Sequence, residues 1–173
     1  TCNYKPVKIP KIDIDDNGFI EVLATVFLNG KNSISYPQKY IYFASIYDAE
    51  GEGKIGELEL IGRIAQLVGK ENLIVKVHPR DNVNRFLEMG YTVDSNSSIP
   101  WEVIQLNGDF YNNIFVTALS GSVLGVNAMI NKPPTTYFLY PLCDLDNNKL
   151  AIYFSEKIDD LINNTKQNGI LKN

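Results

Sequence analysis

Leu73-Ile74-Val75-Lys76-Val77-His78-Pro79 is the stretch on which the fold turns. It is short and almost continuously apolar, with β-branched residues at 74, 75 and 77. A strand with one wet face would alternate; this run reads instead as a strand covered on both sides. Pro79 ends it, because proline has no N–H to donate to a ladder. Upstream, Tyr40-Ile41-Tyr42-Phe43-Ala44-Ser45-Ile46 is aromatic and β-branched in the same way. Downstream, 113–118 and 136–142 repeat the pattern, and Tyr91-Thr92-Val93 is a briefer instance.

The segments between these runs have helical spacing. Leu58, Ile61, Ile64, Ala65 and Val68 recur on one face, and Gly69 stands where a C-cap is wanted. A short helix is predicted over 82–89, stopped by Gly90. Ser98 is placed as the cap of a helix opening with Ile99-Pro100-Trp101-Glu102. Another helix follows Ser120-Gly121-Ser122 and runs to 130, and an amphipathic one spans 155–163 ahead of a polar tail expected to fray. Apolar strands alternating with helices specify an α/β protein: a doubly wound parallel sheet of the Rossmann type over 40–173. Residues 1–39 look different. Lys5-Pro6-Val7-Lys8-Ile9-Pro10 is extended, the period of 18–28 leaves helix or strand open, and the segment reads as a linker or the end of a preceding domain.

Composition bounds the function. Of 173 residues, 45% are hydrophobic and 21% charged, which suits a soluble domain with a real core. A formal net charge of −4 argues against nucleic-acid binding, which needs a basic face to displace counterions. No apolar run reaches membrane-span length and no signal peptide is recognisable; the start at Thr1-Cys2-Asn3 suggests a processed product or a fragment. Cys2 and Cys143 are too few for a disulfide framework and are expected as free thiols in a reducing cytoplasm.

Doubly wound sheets bind ligands beyond the carboxyl ends of their strands, which singles out three loops. In Thr117-Ala118-Leu119-Ser120-Gly121-Ser122, a strand passes directly into a helix whose first N–H groups and dipole favour an anion. Gly121 would let a ligand approach the backbone, although Ser120 as a plain N-cap explains the pattern too. His78, the only histidine, falls at a strand end where Pro79 stiffens the turn. An ordinary imidazole pKa, about 6.5, is close to that of a departing phosphate. Lys76 shares its strand face, is expected to point toward covering helices, and is left out of the site. Glu102 either complements a helix dipole or grips ribose hydroxyls. Asp48, Glu50 and Glu52 lie on a glycine-spaced loop and are either simply solvated or the source of a general base. Asp13-Ile14-Asp15 and Asp144-Leu145-Asp146 fit a metal-binding Asp-x-Asp pattern, but turn chemistry explains them and no metal is expected.

Taken in order, Lys76-Val77-His78-Pro79-Arg80-Asp81, Ser97-Ser98-Ile99-Pro100-Trp101-Glu102-Val103 and Thr117-Ala118-Leu119-Ser120-Gly121-Ser122 resemble bacterial sialyltransferases. The likeness is to the lipooligosaccharide and capsule family of the GT-B glycosyltransferase fold, and it covers roughly 40–143. The resemblance implies that this chain is the donor-binding half, taking CMP-sialic acid or a related cytidine nucleotide for inverting, metal-independent transfer to a glycan acceptor, with no cofactor. It implies that His78 contacts the phosphate as acid, Glu102 binds ribose, Ser120 or Ser122 holds phosphate with Thr117 and Gly121 in the same nucleotide-binding loop, and the backbone of 78–80, with Pro79 and Arg80, meets cytosine. The base would be Glu50, before Gly51, or else Asp48. It also implies a cytoplasmic location at the inner membrane face, and homodimerisation is compatible with it. GT-B enzymes have two such domains, whereas this chain has length for one. Two other readings compete: a CDP-glycerol-type glycerophosphotransferase, whose serine loop usually carries an aspartate and tandem serines, and a non-catalytic nucleotide-binding or regulatory module.

Overall fold

The computed structural model describes residues 10–29, 33–48, 54–81, 84–96 and 98–167, without the side chains of 84, 126, 127 and 164–167. Five strands, β1 (Tyr40–Phe43), β2 (Leu73–Lys76), β3 (Thr92–Val93), β4 (Ile114–Thr117) and β5 (Thr136–Phe138), form one sheet ordered β3-β2-β1-β4-β5. Every pairing is parallel, with Phe43 opposite Lys76 on one side and Thr117 on the other. The helices are α1 (Asn17–Phe27), α2 (Glu57–Val68), α3 (Asn84–Glu88), α4 (Trp101–Leu106), α5 (Gly121–Met129) and α6 (Lys149–Gln167). This is a Rossmann-like, doubly wound α/β fold, as the strand composition dictates.

Strand alternation sorts the core into two layers. Tyr42, Val75 and Val116 face α2, α3 and α6, where Ile61, Phe86 and Ile158 meet them. Ile41, Phe43, Ile74 and Phe115 face the opposite layer, built from Trp101 and Ile104 of α4, Val123 of α5 and part of α1. Trp101 centres this second layer, with ring centroids 4.6 Å from Phe43, 5.2 Å from Phe110 and 5.4 Å from Phe115. Its indole N–H donates to Gln105 Oε1 at 2.9 Å, so the buried ring keeps its polar atom satisfied.

Several boundaries differ from the sequence expectation, each for a local reason. β1 stops at Phe43 rather than 46, because the Ser45 N–H donates to the Glu57 carboxylate and not to a neighbouring strand. β5 stops at Phe138, since Pro141 cannot pair and 140–142 coil into a 3₁₀ turn. Ser98 does not cap α4. Pro100 occupies the N-cap, with no side-chain cap bond. α6 begins at Lys149, six residues before the expected start, because the Asn148 side chain accepts from the Ala151 N–H and caps it. Gly69 and Gly90 do end their helices, at φ 85° and 73°.

Residues 10–29, expected as linker or the end of a preceding domain, pack on the sheet. The undecided segment is helix α1, capped by Asp16, and its Ile20, Leu23 and Ala24 cover the Trp101 layer. Ile12 bridges Ile130 in parallel. The stretch 5–9 and Cys2 lie outside the described residues. Cys143 is a free, half-buried thiol, its pKa pushed up to about 11 by burial and the nearby Glu57 and Asp48 charges.

Candidate functional site

The strand order reverses between β1 and β4, and at that point a crevice opens beyond the carboxyl ends of the strands. It encloses about 310 Å³, at the lower end of small-molecule sites. Its walls come from four segments. Ala44 follows β1, Val77 to Pro79 follow β2, Ser98 to Glu102 run into the first turn of α4, and Ser120 and Ser122 flank the start of α5. Thus His78, Pro79, Glu102, Ser120 and Ser122, distant in sequence, share one cleft. A second cleft of about 380 Å³ lies near 108–111 and 133–135, which precede β4 and β5. That is the edge where such sheets do not place ligands.

The histidine is oriented by its own turn. The Arg80 N–H donates to His78 Nδ1 at 3.2 Å, and the Asp81 N–H donates to the His78 carbonyl at 2.9 Å. A ring that accepts at Nδ1 carries its neutral-state proton on Nε2 and presents a donor there. Arg80 itself is exposed and does not line the cleft.

The serine loop is anchored from beneath. Thr117 is fully buried, donating through Oγ1 to the Phe43 carbonyl at 2.8 Å and accepting from the Ser120 N–H at 2.9 Å. Thr117 therefore ties β4 to β1 and shapes the loop without lining the cleft. Ser120 is buried, whereas Gly121 and Ser122 are exposed. A Cβ on Gly121 would meet no protein atom within 4 Å, so packing does not require glycine there. Glu102 is half-buried and reaches toward α5, its Oε1 lying 3.8 Å from where a Cβ on Gly125 would stand.

The acidic loop is arranged differently. Both Asp48 oxygens bind the backbone, accepting from the Ile55 N–H at 2.6 Å and the Glu57 N–H at 2.7 Å. Asp48 thus caps α2, whose own N-cap, Gly56, has no side chain to do so. It does not line the cleft, and Glu50 lies outside the described residues. Lys76, set aside in the sequence reading, does line the cleft. Its ammonium pairs with buried Asp94 at 2.9 Å and sits 5.9 Å from the Trp101 ring centroid. Burial works against the Asp94 charge, but the Lys76 ammonium and hydrogen bonds from Asn96 and Tyr36 together outweigh it and lower the Asp94 pKa.

One residue escaped sequence reasoning altogether. Glu57 is fully buried. It accepts from the Ser45 N–H at 2.8 Å, the Tyr42 hydroxyl at 3.0 Å and the Ser45 hydroxyl at 3.1 Å, with Arg85 Nη2 3.6 Å away. Burial pushes its pKa up to about 7 against the lowering effect of those hydrogen bonds and of Arg85. In sequence it is an acid in the first turn of a helix, indistinguishable from one that merely complements the dipole.

The Asp-x-Asp pairs form local turns. Asp13 accepts from the Asp15 N–H, and Asp144 from the Asp146 N–H. Among the described residues, no three His, Cys, Asp or Glu side chains group as a metal site, and no helix is long and apolar enough to cross a membrane. Comparison with protein-family models, curated proteins and solved structures finds no match to this chain.

Proposed function

We propose that the crevice binds the nucleotide part of a sugar donor and that the chain is the donor-binding half of a GT-B glycosyltransferase, of the sialyltransferase kind. The observation that carries this reading is the convergence of His78, Glu102, Ser120 and Ser122 at the strand-order reversal of a parallel sheet. Each has a chemical part in holding a nucleoside monophosphate. The first turn of α5 and the two serine hydroxyls suit the phosphate. The Nε2–H of His78 supplies a donor to a phosphate oxygen, and service as an acid for the leaving group requires the Arg80 N–H to yield Nδ1 to the added proton. Glu102 can accept from both ribose hydroxyls. The cleft's size suits a nucleotide better than an entire nucleotide sugar with its acceptor, which fits a site completed by a second domain.

In the reaction the acceptor hydroxyl attacks the anomeric carbon from the face opposite CMP, and the bond to the phosphate oxygen breaks. The hydroxyl proton passes to a base, and His78 stabilises the negative charge gathering on CMP. Glu50 is the stronger candidate for that base, because Asp48 already holds two backbone N–H groups. The acceptor is a bacterial surface glycan in this reading, and the enzyme works on the cytoplasmic face of the membrane.

Trp101, the only tryptophan, lines the cleft and reports on it. Its fluorescence, together with thermal shift, is to be followed during titration with CMP, CDP and UDP, since a ligand bound to the folded state must raise the melting temperature. CMP is expected to bind best. Preference for UDP would overturn the cytidine reading, and preference for CDP and CDP-glycerol would favour a glycerophosphotransferase.

A further inference from the structure

The loops that frame the cleft are joined behind it, on the other face of the sheet. The loop after β1 is held to Glu57 through the Ser45 N–H and hydroxyl. Across from Glu57, Arg85 of α3 places Nη2 3.6 Å from the carboxylate and uses the same nitrogen to bind Asp81. Asp81 closes the turn begun by His78, its N–H donating to the His78 carbonyl. The Glu57 and Asp81 side chains are fully buried, and Arg85 is largely so. A continuous chain of contacts therefore runs from Ser45 through Glu57, Arg85 and Asp81 to the turn that orients the histidine.

We propose that Glu57 is a positioning residue: ionised, it draws Arg85 into a bridge that ties the loop after β1 to the turn at 78–81, and on taking up a proton it releases that turn. That the turn belongs to a ligand site rests on the function proposed above; the bridge itself does not. The groups facing Glu57 account for its behaviour. Tyr42 comes from β1, Tyr47 and Asp48 from the loop after it, Arg85 and Asp81 from α3 and the turn before it, and Cys143 from the segment after β5. Arg85 is the only cation among these. The Glu57 charge helps raise the Tyr47 and Cys143 pKa values, secondary to burial, so both stay neutral near pH 7. Glu57 and Arg85 are thus the pair that changes there. When Glu57 is protonated, the Tyr42 or Ser45 hydroxyl must turn round to accept its proton, and Arg85 keeps only Asp81.

The test reads the turn directly and without ligand. Amide hydrogen exchange at Asp81, whose N–H donates to the His78 carbonyl and not to its imidazole, is measured by NMR on the full chain at pH 6 and pH 8, corrected for intrinsic rates. In the wild type, protection should rise on the order of tenfold as Glu57 ionises. Glu57→Gln, which keeps the shape, should hold protection at the low-pH level throughout. Asp81→Asn cuts the chain of contacts while leaving Glu57 in place, and should likewise lose the pH dependence, so the question survives if one variant folds poorly. The same pH profile in wild type and Glu57→Gln, or an unchanged profile in Asp81→Asn, overturns the proposal. If CMP at pH 8 alters neither Trp101 fluorescence nor turn protection while the variants behave as expected, the cleft reading fails and the bridge stands.

Discussion

The two faces of the sheet treat polar groups in opposite ways at the same edge. On the Trp101 side, His78, Glu102, Ser120 and Ser122 converge on an open cleft above an aromatic floor. On the α2 side, Tyr42, Ser45, Glu57, Arg85 and Asp81 turn inward and bind one another, with only Arg85 Nε left without a hydrogen-bond partner among them. The first arrangement leaves polar chemistry facing an opening, as a binding site requires. The second uses polar chemistry to hold backbone. The contrast teaches that a charged residue near the cleft edge is not thereby a cleft residue: Asp48 accepts from two backbone N–H groups and Glu57 from one.

The contrast can be broken at its floor. Trp101→Ala should lower unfolding stability by about 3–5 kcal/mol in urea denaturation, because the ring is buried among Phe43, Phe110 and Phe115. A loss under about 1 kcal/mol would show that the aromatic layer does not hold the cleft.

The buried side predicts a pH effect of next size. Glu57 has a folded-state pKa of about 7, above the ordinary 4.5. The folded state therefore binds the proton more tightly, and this group's stabilising contribution is fully present below about pH 4.5 and is lost as pH rises through 7. The change is on the order of 3 kcal/mol. Urea melts across that range should show the decline in wild type and not in Glu57→Gln. Asp94, whose pKa is lowered, acts oppositely: its contribution is present above the ordinary carboxylate range and is lost as pH falls below it. A wild-type profile as flat as the variant's would mean that Glu57 is not held as described.

On the open side, effects on ligand should exceed effects on folding. His78→Ala should weaken CMP about tenfold, the scale of one hydrogen bond to a charged group, with cytidine unaffected. Calorimetric titration distinguishes the two, and equal losses for both ligands would remove His78 from the phosphate. Ser122→Ala is the smallest expected change. The residue is exposed, so stability should move by less than about 0.5 kcal/mol, while CMP binding falls a few-fold.

Much of this was legible beforehand. The apolar run at 73–77 and its counterparts specified a covered parallel sheet, and Gly69 and Gly90 marked helix ends because their positive φ angles suit glycine. Of the three loops named from sheet logic alone, those at 78–81 and 119–122 line one cleft, giving it His78, Pro79, Ser120 and Ser122, and Glu102 joins them from α4. Less legible was how each side chain is employed. Thr117 reads as part of the nucleotide-binding loop, and its hydroxyl is engaged between β4 and β1 beneath that loop. Pro100, placed in the first turn, takes the N-cap itself, so the Ser98 cap signal misled.

By itself, then, the sequence determined what depends on neighbours along the chain: periodicity, chain breaks and the alternation of strands and helices from residue 40 onward. Only the tertiary structure decided what depends on burial. Glu57 in a first turn is an ordinary surface acid until Tyr42, Ser45 and Arg85, from three other segments, close over it and exclude water. The physical reason is that desolvation and hydrogen-bond partnership belong to a place in space. That place exists only once distant segments have met.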